Sequence, residues 1–178
     1  SHSSNSMIEN ADMIQKIYFP RLIIPISSCL VGLVDFFISS SILLGLMVYY
    51  NYPLQFNSIL FMGFLILATF LSSVGLGSFF AAVNVKYRDV RYIIPFFIQL
   101  FMFLTPVIYP MSIVKDKYRW LLALNPMSGI IESARSLIQG IETVNWQILS
   151  ISIIMSFILF ILGIMYFRKT ERYFADII

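Results

Sequence analysis

The sequence is poor in the residues on which most soluble chemistry depends. One histidine, His2, in 178 residues excludes a His-Glu-x-x-His zinc site and a Ser-His-Asp relay. One cysteine, Cys29, excludes an intrachain disulfide and, inside an apolar run, reads as a buried small residue. None of the eight glycines opens a Gly-x-x-x-x-Gly-Lys-Ser/Thr loop, so the chain does not cradle nucleotide phosphates in the usual way. Charge is scarce: 12% of residues are Asp, Glu, Lys or Arg and 59% are hydrophobic, against roughly 25% and 45–50% in soluble domains. Water is therefore not the solvent for most of this surface, and a net charge of +3 is too small for a nucleic-acid binder.

Crossing hydrocarbon about 30 Å thick takes about 20 apolar residues of helix. Four windows qualify, which gives an all-α, polytopic membrane bundle with spans over about 22–50, 56–83, 93–109 and 146–167. The first holds one charge, Asp35; the third is interrupted by Pro106 and stops at Pro110. Tyr and Trp gather at the span ends, Tyr49, Tyr50, Tyr87, Tyr109 and Trp146 among them, where amphipathic rings favour the headgroup level. Lys16, Arg21, Lys86, Arg88, Arg91, Arg168, Lys169 and Arg172 share one side, against Lys115, Lys117, Arg119 and Arg135 on the other, so the first side is cytoplasmic. Residues 1–21 and the tail at 168–178 are then cytoplasmic. Residues 1–13 are polar and read as neither a signal peptide nor a core. Because the chain opens on Ser1, its natural start is expected to be missing, processed or replaced.

The long outer segment, about 111–141, carries helical periodicity after the turn signal Asn125-Pro126. Met127, Ile130, Ile131, Ala134, Leu137, Ile138 and Ile141 form one face, opposite Ser128, Glu132, Arg135 and Gln139. It either lies flat on the outer boundary or joins Leu121–Leu124 in a hairpin that dips into the membrane. Asp35 must avoid lipid, because a mid-span carboxylate needs a partner or water. It either lines a substrate path or locks helices together. Ser73, Gly77 and Ala81 fall four apart and allow close helix approach, within the chain or between subunits. Two inward-facing clusters, residues 16–21 and 84–92, mix aromatics with cations. Positive-inside anchoring explains their charges, while Pro20 beside exposed Tyr18 and Phe19 suits a knob for a soluble partner.

The stretches KIYFPRLIIP (16–25), VNVKYRDVRYIIPF (83–96), LTPVIYP (104–110), LALNPMSGIIE (122–132) and ERYFADII (171–178) follow one another along nearly the whole chain. In them the chain resembles the permease subunit of type-2 ABC exporters for O-antigen, teichoic acid and capsule-like polysaccharides. The resemblance implies six spans in the complete protein, of which the four here are the C-terminal part. It also implies a homodimer in the bacterial cytoplasmic membrane and a separate ATPase subunit that binds ATP and Mg, leaving this chain with no cofactor, metal or catalytic residue of its own. Lys16, Ile17, Tyr18, Phe19, Pro20 and Arg21 would form the end of the coupling helix, and Lys86, Tyr87, Arg88, Asp89 and Arg91 a second contact with the ATPase. Residues 111–141, with Asn125, Pro126, Gly129 and Glu132, would gate the exit. Tyr109, Tyr118, Arg119 and Trp120 have the types suited to sugar and phosphate near that exit, and boundary anchoring accounts for them equally. The lipid-linked polysaccharide would pass between two copies when ATP binding presses on the coupling helices. The rivals are a membrane-embedded glycosyl or acyl transferase, for which Asp116, Glu132 and Glu142 are too scattered, and an ion-coupled carrier, for which Asp35 and Pro106 are thin support.

Overall fold

A computed structural model describes residues 2–16, 19–52, 56–87, 89–139 and 144–174, and every regular element among them is helical. In chain order these are α1 (His2–Glu9), α2 (Ala11–Lys16), α3 (Ile23–Tyr49), α4 (Phe56–Lys86), α5 (Val90–Leu104), α6 (Asp116–Ala123), α7 (Pro126–Ile138) and α8 (Trp146–Thr170). Single 3₁₀ turns lie at Met111–Ile113 and Glu171–Tyr173. Three helices are long and apolar enough to cross a membrane, over Ile23–Tyr49, Ser58–Lys86 and Trp146–Thr170.

The expected third span, about 93–109, is shorter than the sequence pattern implies. α5 has 15 residues, about 22 Å of helix, too little for hydrocarbon about 30 Å thick. Pro106 is the cause: its ring disfavours the α region for the residue before it, and Thr105 is extended at ψ 137°. Window composition counts the apolar residues of 105–109 but not this break. At the other connection, α3 ends in a left-handed cap at Asn51 (φ 52°), a residue type that tolerates that region. The Tyr52 amide donates to the Met47 carbonyl at 2.9 Å and the Asn51 amide to that of Val48 at 3.1 Å, which closes the end of α3.

α4 is central because it carries small residues on two faces. Toward α8 it presents Ser72 and Gly75: Ser72 Oγ donates to Ser156 Oγ at 2.8 Å, and a Cβ on Gly75 would stand 2.6 Å from the Leu159 carbonyl oxygen. A Cβ on Gly163 would in turn strike the Gly75 carbonyl. Between apolar helices in lipid there is no hydrophobic drive to associate, and this backbone-to-backbone contact supplies dispersion in its place. The second face of α4 holds the stripe Ser73, Gly77 and Ala81. The Ser73 carbonyl accepts from Cys29 Sγ of α3 at 3.5 Å, Gly77 lies against Ser3 and Cys29, and Ala81 is fully buried.

That second face overturns one expectation. The polar start of the chain packs: Met7 is fully buried in a cluster with Ile14, Ile24, Ala81, Ala82, Val85, Phe167 and Phe174. Its serines are small enough to let α1 approach α4, and Asn84 Nδ2 donates to the Ser4 carbonyl and to Asn5 Oδ1 at 3.0 Å each. In contrast, most of α3 beyond Cys29 and nearly all of α5 stand away from the rest of the chain, with Ile94 the buried residue of α5.

Replacing Gly75 or Gly163 with Ala should destabilise the fold by about 1–3 kcal/mol, the usual range for overpacking. Gly45→Ala, where a Cβ meets nothing within 4 Å, should leave stability unchanged or raise it. Thermal unfolding in detergent micelles distinguishes them, and equal effects at the two kinds of position would rule out the α4–α8 contact described.

Candidate functional site

Polar chemistry collects at the two ends of the bundle. At one end, called inner after the side that the cation pattern is expected to place in the cytoplasm, the buried cluster ties together α1, α2, the start of α3 and the ends of α4 and α8. Around it stand exposed Lys16, Pro20, Lys86, Tyr87, Asp89, Arg91, Arg168, Lys169 and Arg172. Lys86 Nζ lies 5.1 Å from the Tyr87 ring centroid, and Arg91 lies 4.7 Å over Tyr92 while donating to its hydroxyl at 2.6 Å, so each cation is held against an aromatic face. Arg91 and Tyr92 also line a cleft of about 270 Å³ with Asn5, Ile8 and Glu9, which places the start of α5 beside α1.

Two residues of the expected docking knob have structural work here. Phe19 is half-buried against the cluster, not exposed. Arg21 donates from its guanidinium to the Glu171 backbone carbonyl at 2.7 Å, which fastens the 19–22 elbow to the end of α8. Ile17, Tyr18 and Arg88 lie outside the described residues.

At the outer end, α6 and α7 form a hairpin that enters the bundle. Its tip is set by Asn125, whose Oδ1 accepts from the Met127 amide at 3.1 Å and caps α7, with Pro126 in the first turn. Asn125 Nδ2 also donates to Thr105 Oγ1 at 2.7 Å, so the tip meets the broken end of α5. On the α8 side, Ser152 Oγ accepts from the Gly129 amide at 3.1 Å and donates to the Ala123 carbonyl at 3.2 Å. A Cβ on Gly129 would stand 2.8 Å from the Ile148 carbonyl oxygen, so only glycine allows this approach. Ser152 is six residues into α8, so the tip reaches about 9 Å past the start of that helix. This favours the dipping hairpin over a helix lying flat.

The face that α7 buries also differs from the pattern. Ser128, Gly129, Ile130 and Ser133 are buried, while Met127 and Ile131 are half-exposed. In a membrane small residues make the helix contacts and large apolar ones can face lipid. Below the hairpin, Leu65 and Ala68 of α4 meet Ile130 and Leu149.

A strap, residues 105–111, runs from α5 to the hairpin, and Arg135 of α7 holds it. The guanidinium donates to the carbonyls of Pro106 at 3.0 Å, Val107 at 2.8 Å and Tyr109 at 3.2 Å. Glu132 Oε2 accepts from Arg135 at 3.0 Å and from the Met111 amide at 3.5 Å. An orphaned buried carbonyl costs about 1–3 kcal/mol, which is why one arginine with several donors suits a strap outside any helix. Sequence reading set Arg135 on a polar face and counted its charge, without a site role. The signal was a cation three residues after Glu132 beside a strap bracketed by Pro106 and Pro110. Gly129, Ser133, Ser136, Glu132, Asn145 and Ile148 line a cavity of about 80 Å³ beside this node, which has room for water.

The remaining expected site residues divide by exposure. Tyr118 and Trp120 are exposed at 53% and 60%, with aromatic faces available to a ligand. Tyr109 is half-buried and donates its hydroxyl to the Leu104 carbonyl at 3.2 Å, and Arg119 donates to the carbonyls of Val114 at 3.0 Å and Ser112 at 3.4 Å. These two side chains brace loops. Asp35 is exposed on α3 and makes no hydrogen bond or ion pair among the described residues. No group of three metal-ligating side chains gathers among the described residues.

Residues 12–138 match the family model described as ABC-2 type transporter. Over all 178 residues the chain is 26% identical to a Klebsiella pneumoniae protein named O-antigen export system permease protein RfbA, covering 68% of that protein, and 25% identical to a second of the same name and organism. A Myxococcus xanthus protein of that name is 30% identical over 137 residues, which is 75% of this chain and 52% of the relative.

Asn125→Ala should destabilise the protein by about 1 kcal/mol for the lost cap and about 1 more for the lost link to Thr105. Asn125→Ser, which caps but is too short to reach Thr105, should recover about half of that difference. A thermal melt of the three proteins checks the division; full recovery by serine would remove the Thr105 link from the account.

Proposed function

The chain belongs to the ABC-2 type transporter family, and on that premise we propose that it is the membrane-spanning permease subunit of an ATP-driven exporter. Its cargo is lipid-linked polysaccharide of the O-antigen class, carried across a bacterial cytoplasmic membrane. Support for the cargo comes from full-length similarity to proteins named as O-antigen export permeases. Support for the drive comes from the inner end, where exposed cations and aromatics crowd around one buried cluster.

A separate ATPase, with its own Mg and nucleotide, docks there against Lys16–Arg21 and Lys86–Arg91. Side chains on the surface, Lys16, Lys86, Tyr87, Asp89 and Arg91, make the contact, with Ile17, Tyr18 and Arg88 completing it. Phe19 and Arg21 pass the push inward, because one packs on the cluster and the other grips the end of α8. Two copies of the permease enclose the path. The exposed lengths of α3 and α5 fit that arrangement, since Asp35 at the middle of α3 would cost roughly 2.5–3.5 kcal/mol against lipid. At the exit, Tyr118 and Trp120 offer platforms for sugar rings, while Tyr109 and Arg119 brace the loops beside them. By the balance of cations the inner end faces the cytoplasm.

The observation that carries this reading is the concentration of free cations and aromatics at the end where α1, α4 and α8 converge. Lys86→Glu with Arg91→Glu in the full-length protein should reduce copurified ATPase about tenfold, or about 1.4 kcal/mol, without lowering the thermal midpoint. With Cys29 replaced by Ser, an impermeant thiol reagent applied to intact cells should label a cysteine at position 113 and not one at position 86. Full retention of ATPase by the double variant, or labelling of position 86 from outside, would overturn the assignment.

A further inference from the structure

Helix α7 is held on its two sides by contacts of different kinds. Toward α8 the bonded atoms are withdrawn from water: Ser152 is fully buried, Gly129 is buried with no room for a Cβ, and the Gly129 amide and Ala123 carbonyl both spend their bonds on Ser152, while the cavity of about 80 Å³ reaches only the rim of this junction at Gly129 and Ile148. Toward the strap the contact is a polar node whose two charged side chains, Arg135 and Glu132, are 23% and 26% exposed. A buried junction loses its hydrogen bonds with nothing to replace them, whereas a node at the edge of water can trade protein carbonyls for solvent.

The strap is seated at its ends, where Thr105, Pro106 and Met111 are buried, and open between them, where Val107, Ile108 and Pro110 are exposed. It holds Pro106 and Pro110, which have no amide to donate, and its carbonyls at 106, 107 and 109 all turn to one guanidinium. The helix it extends, α5, is almost unburied and is tied to the hairpin elsewhere by Asn125 and Thr105.

We infer that Arg135, charge-balanced by Glu132, is the releasable latch of the outer end, and that opening parts the exposed middle of the strap, residues 107–110, from α7 while the buried ends of the strap and α7 itself stay seated. Arg135 is a positioning residue: it acts through the strap backbone and touches no cargo. Only the drive for this motion rests on the export reading; the latch itself is a property of the resting chain. Charge balance alone does not make it. An exchanged pair, Glu132→Arg with Arg135→Glu, keeps the charges but puts an acceptor where the three carbonyls need donors.

The test uses the full-length permease assembled with its ATPase, with Cys29 replaced by Ser and spin labels on exposed positions 107, 139 and 147. With a non-hydrolysable ATP analogue, the 107–139 distance should lengthen by about 5 Å, on the scale of one helical turn, while 139–147 stays fixed. Arg135→Gln should lengthen 107–139 without nucleotide, Arg135→Lys should restore most of the closed distance, and the exchanged pair should stay open. ATPase copurification should be unchanged in all three, so a failed latch and a failed docking assignment are separable. Lengthening of 139–147 with 107–139 fixed would overturn the inference, as would closure by the exchanged pair. Should a variant fail to fold, the nucleotide comparison in the parent protein decides it.

Discussion

Where the backbones of α4 and α8 touch, at Gly75 and Gly163, the bundle has its fixed point. Lipid tails are as apolar as leucine, so nothing presses membrane helices together except the contacts they make. Glycine permits the closest contact, and the other attachments in this chain repeat the device: Gly77 admits Ser3 of α1, and Gly129 brings α7 onto Ser152 of α8. Gly32, Gly45 and Gly63, by comparison, face open space. The glycines therefore divide the surface into faces the chain satisfies by itself and faces it leaves for lipid or other protein.

α3 shows what the second kind implies. Its first turns are buried against α1 and α4, and the remainder, with Asp35 in its middle, touches little of the chain. A helix of leucine and phenylalanine could face lipid all round. One with an unpartnered carboxylate at mid-depth cannot, so at least that side meets water or a polar group. In the permease reading proposed above, a hydrated path along this side of α3 would meet that requirement.

Much of this was legible in the residues, for definite reasons. Apolar windows of spanning length with at most one charge identify α3, α4 and α8 because composition and length are nearly all that the hydrocarbon demands. α5 was overcounted because Pro106 acts on the geometry of Thr105, which a hydropathy window does not register. The packing of α1 was missed because its signal is small serines opposite Gly77, and no apolar run announces it. α7 was read as an amphipathic helix lying on or dipping into the membrane, and periodicity alone did not show that Ser128, Gly129 and Ser133 make its contact with the bundle. The pattern of cations suggested a sidedness for the chain, but gave no sign that Arg21 and Arg135 each spend their donors on backbone carbonyls far away in sequence.

Those two arginines lie at opposite ends of one mechanical line. Arg21 and the cluster around Phe167 attach the inner elbow to the last turn of α8, and α8 runs 25 residues from there to Trp146, about 37 Å of continuous helix. Ser152 then fastens α7 near its far end. A force on the elbow that tilts α8 must carry α7 with it, because both attachments are buried. The 105–111 strap is seated at its ends, with Met111 buried against Ala123 and Ile148, so the relative motion proposed above concentrates between those ends, at the half-exposed node of Arg135 and Glu132. Burial, more than bond number, decides which contacts transmit the motion and which one yields.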